Sequence, residues 1–225
     1  MRRITFLFTF HQPMKTTLIL IPMAQNMPVA LKARALVAIQ RMQRPGIQIV
    51  IDSRGPGDAG IDSNSARCDQ LADIRNALVR DYLRPEHSHV LVMDADIVEF
   101  PPDLPQQLQK ISGDNAIVGA ACYVEGCFPR WYDTGGFVER GHRCRHYPPH
   151  FDQPGPVIEL DSVGACYIVP ADVFRKGAKF AGSQNFTDHF ALCQAAKELG
   201  YSVLCDTRIR VSHADLPRYG LQWHP

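Results

Sequence analysis

The sequence lacks any stretch approaching the roughly 20 consecutive apolar residues that carry a helix through a bilayer, so no membrane span is expected. It also lacks charge of one sign. Its 24 Lys and Arg offset 23 Asp and Glu to leave a formal +1, with no long run of either kind. Bulk electrostatic binding to nucleic acid or another polyanion is therefore not expected. Cysteine does not occur in a number that pairs. Seven is odd, and Cys166, Cys193 and Cys205 lie inside apolar segments where a free thiol behaves as a small hydrophobe. That sets aside a disulfide scaffold and predicts a reducing, cytoplasmic location. No internal repeat or low-complexity tract is present. Met1-Arg2-Arg3 ahead of the apolar residues 4–10 has the start of a secretory signal, but His11-Gln12-Pro13 interrupts it and no small-residue cleavage site follows. Residues 1–15 are thus expected to form a tail, and 16–225 one domain with a sizeable core.

What is present centres on residues 89–103. An apolar run of strand length, Val90-Leu91-Val92-Met93, ends in Asp94-Ala95-Asp96, and Pro101-Pro102 then stops the chain ahead of a helix from about Leu104. Side chains two apart on a strand share a face, so Asp94 and Asp96 are expected to project together at the strand's C-terminal end. Two carboxylates placed together need a cation. Their Cα atoms on an extended strand would be about 6.5 Å apart at about 3.3 Å per residue, while a Mg2+ or Mn2+ ligand sits at about 2.1 Å. Asp96 is therefore expected to bind the metal directly, and Asp94 to act through a hydroxyl or a water.

Around this centre the chain alternates strand and helix. Residues 16–23 read as a buried strand, since parallel strands covered on both faces appear as continuous apolar runs. A helix to about Met42 follows, with Asn26 as N-cap, Pro28 in its first turn and Val29, Leu36 and Ile39 on its apolar stripe. Residues 47–51 form a second strand ending at Asp52, and a Gly- and Pro-rich loop leads to a helix over 66–83 capped by Ser65. After the Asp94 strand come a helix over 104–111 and a strand over 116–124. Residues 125–156 lose periodicity, carry Trp131, Tyr132 and Phe137, and are expected to be a lid or acceptor loop. Strands are predicted at 157–160 and 163–169 and a short helix after Pro170. A helix over 188–199 stops at Gly200, and short strands at 202–205 and 208–212 end at His213. The fold class is α/β, a mostly parallel sheet with right-handed crossovers flanked by helices. Ligands in such sheets sit beyond the carboxyl ends of the strands, where Pro22, Asp52, Asp94 and Asp96 all fall.

Three blocks carry a resemblance: Arg75-Asn76-Ala77-Leu78; residues 90–104 with Asp94-Ala95-Asp96-Ile97-Val98 and Pro101-Pro102-Asp103-Leu104; and Asp161-Ser162-Val163-Gly164-Ala165 leading into Tyr167-Ile168-Val169. A looser fourth is the helix from Asp188, followed by a strand and His213. Together they resemble the GT-A class of nucleotide-sugar glycosyltransferases, and within it the fungal mannan-polymerase α-mannosyltransferase family. The resemblance implies a GT-A, Rossmann-like fold and a metal-dependent transfer of a hexose, mannose from GDP-mannose, to a hydroxyl acceptor such as a glycan. It implies that Asp52 contacts the base or ribose, Arg75 the donor, and Asp94 the ribose or sugar. Asp96, with Asp94 and His213, would hold Mn2+ or Mg2+, while Asp161 and Asp188 face the sugar and acceptor. Many inverting members of the class carry adjacent Glu and Asp at the start of the late helix, whereas this sequence has Asp188-His189. Either could take a proton, His189 with the pKa nearer neutrality. The fungal enzymes retain configuration and need no such base. They also carry a membrane anchor, so a bacterial or viral cytoplasmic relative is expected rather than a Golgi one.

Two other readings compete. A haloacid-dehalogenase-type phosphohydrolase also places Asp-x-Asp after an apolar strand, but on the first strand of its domain and with later Lys and acidic motifs that this sequence does not supply. A sugar-nucleotide-binding protein without turnover would have no need of both acids and His213. His142-Arg143-Cys144-Arg145-His146, with Cys122 and Cys127, matches no common zinc spacing and reads as an exposed basic loop. Trp131 and Tyr132 could stack on an acceptor sugar or anchor the loop, and Asp133 is a lesser acceptor candidate.

Overall fold

The computed structural model describes residues 15–55, 64–128, 130–132, 136–143, 156–182 and 187–220. The N-terminal tail, the Gly-rich loop after β2, Asp133 and the Cys144–His146 part of the basic loop lie outside them. The elements in order are β1 (Thr16–Ala24), α1 (Val29–Gln40), β2 (Ile47–Gly55), α2 (Asn64–Tyr82), β3 (His87–Met93), β4 (Ile97–Glu99), α3 (Leu104–Ser112) and β5 (Ala116–Val124). A small hairpin, β6 (Val138–Glu139) and β7 (His142–Arg143), follows. Then come β8 (Val157–Glu159), β9 (Cys166–Pro170), α4 (Ala171–Arg175), α5 (Asp188–Glu198), β10 (Ser202–His213) and a 3-10 turn at Leu216–Tyr219.

One sheet runs β2-β1-β3-β9-β5-β10-β4, with β8 added on β10. The long strands β2, β1, β3, β5 and β10 point the same way, and β9 is threaded antiparallel between β3 and β5. The expected mostly parallel sheet is therefore mixed at its centre. Apolar runs showed that residues 163–169 were buried on both faces, but no local feature records the direction of a strand. Alternation along the strands divides the core in two. Leu18, Leu20, Val90, Val92 and Tyr123 face one side with Leu78 of α2 and Leu192 of α5. Ile19, Ile21, Leu91, Met93 and Val118 face the other with Ile39 of α1 and Leu108 of α3.

Several local expectations change. The N-cap of α1 is Pro28 rather than Asn26, because Lys32 N–H donates to the Pro28 carbonyl. Its buried stripe is Leu31, Ala35, Ala38 and Ile39, while Val29 and Leu36 are exposed. Helix α2 begins at Asn64, so Ser65 lies within it. The two last strands are one: β10 keeps its pairing with β5 across an irregularity between Asp206 and Arg210. Arg208 closes that bulge by donating its backbone N–H and its guanidinium to the buried Asp206 carboxylate.

The largest change is at the centre. β3 ends at Met93, and Asp94-Ala95-Asp96 form a turn closed by Ile97 N–H on the Asp94 carbonyl at 3.2 Å. The two aspartates are gathered by this turn rather than by the pleat of a strand. Asp94 N–H donates to Ala165 O at 2.8 Å, and Ala214 N–H donates to Asp96 O at 2.8 Å. The turn is thus tied both to the segment entering β9 and to the exit of β10. Ala165 takes a φ of 54°, a left-handed conformation uncommon for a residue with a Cβ, at this junction.

Candidate active site

A cleft of about 210 Å³ opens beyond the carboxyl ends of β1 and β3. Its floor is the Asp94-Ala95-Asp96 turn, one wall is Pro22, Ala24 and Met27, and the other is α2 with Arg67, Cys68, Leu71 and Arg75. Positions 67, 71 and 75 are four apart, so they stack on one face of the helix. Thr187, Asp188 and His189 at the start of α5 close the back, and Tyr132 the side. Pro22 lines the cleft. Asp52 is its register partner on β2 and does not line the cavity.

Arg75 is the hub of the back wall. Its guanidinium is buried, with Nη2 donating to Asp94 Oδ1 at 2.6 Å and Nη1 to Asp188 Oδ2. Each Nη of the fork is held by a carboxylate of this chain while Nε has no hydrogen-bond partner among the described residues, so Arg75 orients Asp94 and Asp188. The resemblance placed Arg75 at the donor; in the structure its two Nη groups are held by Asp94 and Asp188 at the back wall of the cleft. Burial opposes the charge on Asp188, but Arg75 and His189 outweigh it and hold the carboxyl below its ordinary range. Asp188 is a weak base. Burial raises Asp94 above its ordinary value against the pull of Arg75.

His189 is likewise committed. Nδ1 meets the hydroxyl of the fully buried Tyr167 at 2.8 Å, and Nε2 faces Arg75 Nη1 at 3.5 Å. An arginine can only donate, so Nε2 accepts and the proton is assigned to Nδ1. Burial brings the imidazole down to about 4, with Asp188 opposing and Arg75 adding to the shift. The expectation that His189 is open to take a proton from an acceptor near neutrality is corrected by these contacts. Asp161 lies elsewhere. It pairs with Lys197 Nζ at 2.7 Å and accepts the Gly141 N–H at 2.8 Å. Lys197 is nine residues along α5 from Asp188, on the order of 13 Å.

His213 and Asp96 form the second charged group. His213 is fully buried at the end of β10, and its Nε2 lies 2.9 Å from Asp96 Oδ2, whose side chain is 26% exposed to the cleft. Nδ1 lies 2.9 Å from the carbonyl of Ala214, an acceptor, so Nδ1 carries a proton and Nε2 is the nitrogen turned to the carboxylate. Something positive must sit between them. A proton is one answer: burial disfavours the imidazolium, yet Asp96 more than compensates and raises His213, while His213 in turn holds Asp96 low. A divalent cation is the other. Two ligands at right angles, each about 2.1 Å from one ion, are about 3.0 Å apart, the separation found here. A nitrogen beside a carboxylate oxygen suits Mn2+.

The full triad of Asp94, Asp96 and His213 is not assembled as a protein-only cage. Among the described residues no three His, Cys, Asp or Glu side chains are grouped to hold a metal, because Asp94 is turned to Arg75. Asp96 and His213 fit a site whose remaining positions come from ligand oxygens or water. Of the zinc candidates, Cys122 is buried, Cys127 half-buried and His142 exposed.

Arg67 is the residue that the sequence reading missed. It is half-buried on the cleft face of α2, and it makes no ion pair or hydrogen bond with another described residue. Its spacing of eight from Arg75, with Leu71 between, was the available signal. Among the described residues no helix is long and apolar enough to cross a membrane.

Comparison with known proteins agrees with this architecture. The family model described as Anp1 matches residues 58–140, which include α2 and the Asp94–Asp96 turn. The mannan polymerase complex subunit mnn9 of Schizosaccharomyces pombe is 29% identical over 165 residues, covering 60% of this chain and 48% of that protein. Subunit MNN9 of Candida albicans is 30% identical over 177 residues, covering 61% and 46%. The chain spans about half the length of the curated relatives it matches. A Drosophila β1,4-galactosyltransferase 7 mutant, solved with manganese, UDP-Gal and xylobiose, superposes with a TM-score of 0.51 at 12% identity, over 88% of this chain and 70% of that one. A197 from STIV superposes with a TM-score of 0.50 at 14% identity, over 88% and 85%. The chain is similar in sequence to fungal mannan-polymerase subunits and shares its mixed α/β fold with a glycosyltransferase.

Proposed function

We propose that this chain is a metal-dependent glycosyltransferase that moves a hexose, mannose from GDP-mannose, onto a hydroxyl of a glycan acceptor. The observation that carries the reading is the Asp94–Asp96 turn opening on the cleft, with His213 Nε2 2.9 Å from Asp96 Oδ2. Asp96 and His213 would hold Mn2+ or Mg2+. Bound there, the cation supplies Lewis-acid stabilisation of charge on the departing diphosphate. Arg67, with no ion pair among the described residues, faces the same cavity and meets the phosphate charge from the α2 wall. Arg75 fixes Asp94 and Asp188 toward the sugar, and preorganised groups of this kind need no rearrangement at the moment of reaction. Pro22 and Asp52, paired in register in the C-terminal halves of β1 and β2, lie on the side assigned to the ribose and base.

The choice of mannose is supported by the relatives' description as mannan polymerase subunits, and a manganese and nucleotide-sugar requirement by the contents of the galactosyltransferase structure. GDP rests on the family resemblance. With Asp188 held by Arg75 and His189 by Tyr167, the contacts fit retention better than inversion assisted by a general base. The six described cysteines are free thiols, which supports a reducing, cytoplasmic setting. Asp161 takes no part in this scheme.

Thermal unfolding with GDP, UDP and phosphate, each with and without Mn2+, tests the reading. A ligand at 100 times its Kd stabilises by about 2.7 kcal/mol, roughly 5 to 10 °C in a chain of this size. A Mn2+-dependent shift with GDP alone supports the donor assignment. A shift with UDP alone keeps the transferase and changes the sugar nucleotide. No shift with either, together with release of phosphate from phosphoesters, replaces the transferase with the phosphohydrolase.

A further inference from the structure

Tyr132 lies flat on His213. The ring centroids are 3.5 Å apart and the planes 15° from parallel. The bond from Nδ1 goes to the carbonyl of the next residue, and the torsion that turns a histidine ring is broad. An imidazole could swing about that contact and carry Nε2 away from Asp96. A rigid ring against its face prevents the swing, and the π face favours an imidazole that carries positive charge or ligates a cation.

The backbone that presents Tyr132 is itself anchored. Val124 N–H donates to Arg130 O and Tyr132 N–H to Cys122 O, both at 3.0 Å, so residues 130–132 run as a hook along the end of β5. Trp131 fixes the hook from the other side, edge-on to Tyr123 and Phe137 at 5.7 and 4.8 Å. Residues 130–132 thus deliver a single aromatic ring to the candidate metal site. Tyr132 also lines the cleft.

We propose that Tyr132 is a positioning residue for the metal site: it holds His213 in the orientation that ligates a divalent cation together with Asp96. This rests on the metal-dependent reading above. Partners that orient a ligating histidine commonly change metal affinity by 10- to 100-fold when removed.

The test is Mn2+ binding to the nucleotide-free protein, followed by the electron paramagnetic resonance of free Mn2+, for the native chain, Tyr132→Phe, Tyr132→Leu, Tyr132→Ala and His213→Ala. Phenylalanine keeps the flat ring and is expected to bind within about twofold of the native chain. Leucine fills the space without stacking and alanine empties it, and both are expected to bind at least about tenfold more weakly. Melting curves in EDTA show which variants are folded, and the leucine variant serves if alanine unfolds the hook. Native Mn2+ affinity in folded Tyr132→Leu, alongside lost affinity in His213→Ala, overturns the positioning role and leaves the metal reading standing. No Mn2+ binding by the native chain, or undiminished binding by His213→Ala, overturns both.

Discussion

The two charged groups of the cleft are neighbours built to opposite ends. Asp94-Arg75-Asp188 is closed on itself: a buried fork donates to a carboxylate at either tip, and His189 and Tyr167 extend the chain into the core. Asp96-His213 is open: Asp94 and Asp96 are equally exposed, about a quarter of each side chain, but Asp96 faces an imidazole nitrogen that needs a positive charge between them instead of a guanidinium. The two groups start from aspartates two residues apart. The difference teaches that acidic residues at a strand end do not share a role by proximity. One carboxylate is spent on fixing the site's shape, the other is left to bind.

The contrast breaks first at Asp96. Asp96→Ala is expected to lower transfer on the order of 10³-fold or more, since a metal's charge stabilisation contributes several kcal/mol. Its melting temperature without metal should fall only modestly, because the buried His213 that loses its carboxylate partner can give up its proton. Retained transfer would remove the central claim. Arg75→Met should do the reverse. It leaves the nearly fully buried Asp188 without its counter-ion, a loss that costs about 3 to 5 kcal/mol. Denaturant unfolding would show the shift directly, and a native midpoint would mean that the clamp is not structural.

A smaller effect is the pH dependence of the closed group. His189 titrates at about 4 in the folded chain and near 6.5 unfolded. The unfolded state therefore binds the extra proton between these values, so stability falls as pH is lowered from about 6.5 to about 4 and is unaffected above. At most about 3 kcal/mol is involved. His213 has the opposite sign: its raised value gives stability that is present at low pH and lost as pH rises through the folded pKa. Comparing native chain with His189→Gln isolates the first contribution; equal slopes over pH 4–6.5 would refute it. The smallest change is expected at Asp161. Its pair with Lys197 is partly exposed, and Asp161→Asn should cost no more than about 1 kcal/mol and leave transfer unchanged. A large loss of activity there would return Asp161 to the site.

The open group was more legible in the sequence than the closed one. Asp96 and His213 were expected to meet, and they do, because Ala214 N–H binds the Asp96 carbonyl and brings the end of β10 to the turn. Arg75 was expected at the donor, and His189 at a proton. Nothing local to either indicated that α2 and α5 would converge and consume their polar groups in each other. Asp161, close to the third sequence block, looked like a site residue until the fold placed it beside Lys197.

By itself the sequence determined the order of the long strands and main helices, though not β4, the β6–β7 hairpin or the unity of β10, because apolar runs and helical spacing follow from the period of each backbone. It also determined that acids fall at the carboxyl ends of strands, where a parallel arrangement leaves its cleft. Only the tertiary structure decided the antiparallel course of β9, the turn that holds Asp94 and Asp96, and which charges are matched and which remain available. Those outcomes depend on pairings between residues distant in the chain, as between Arg75 and Asp188, and no local period encodes them.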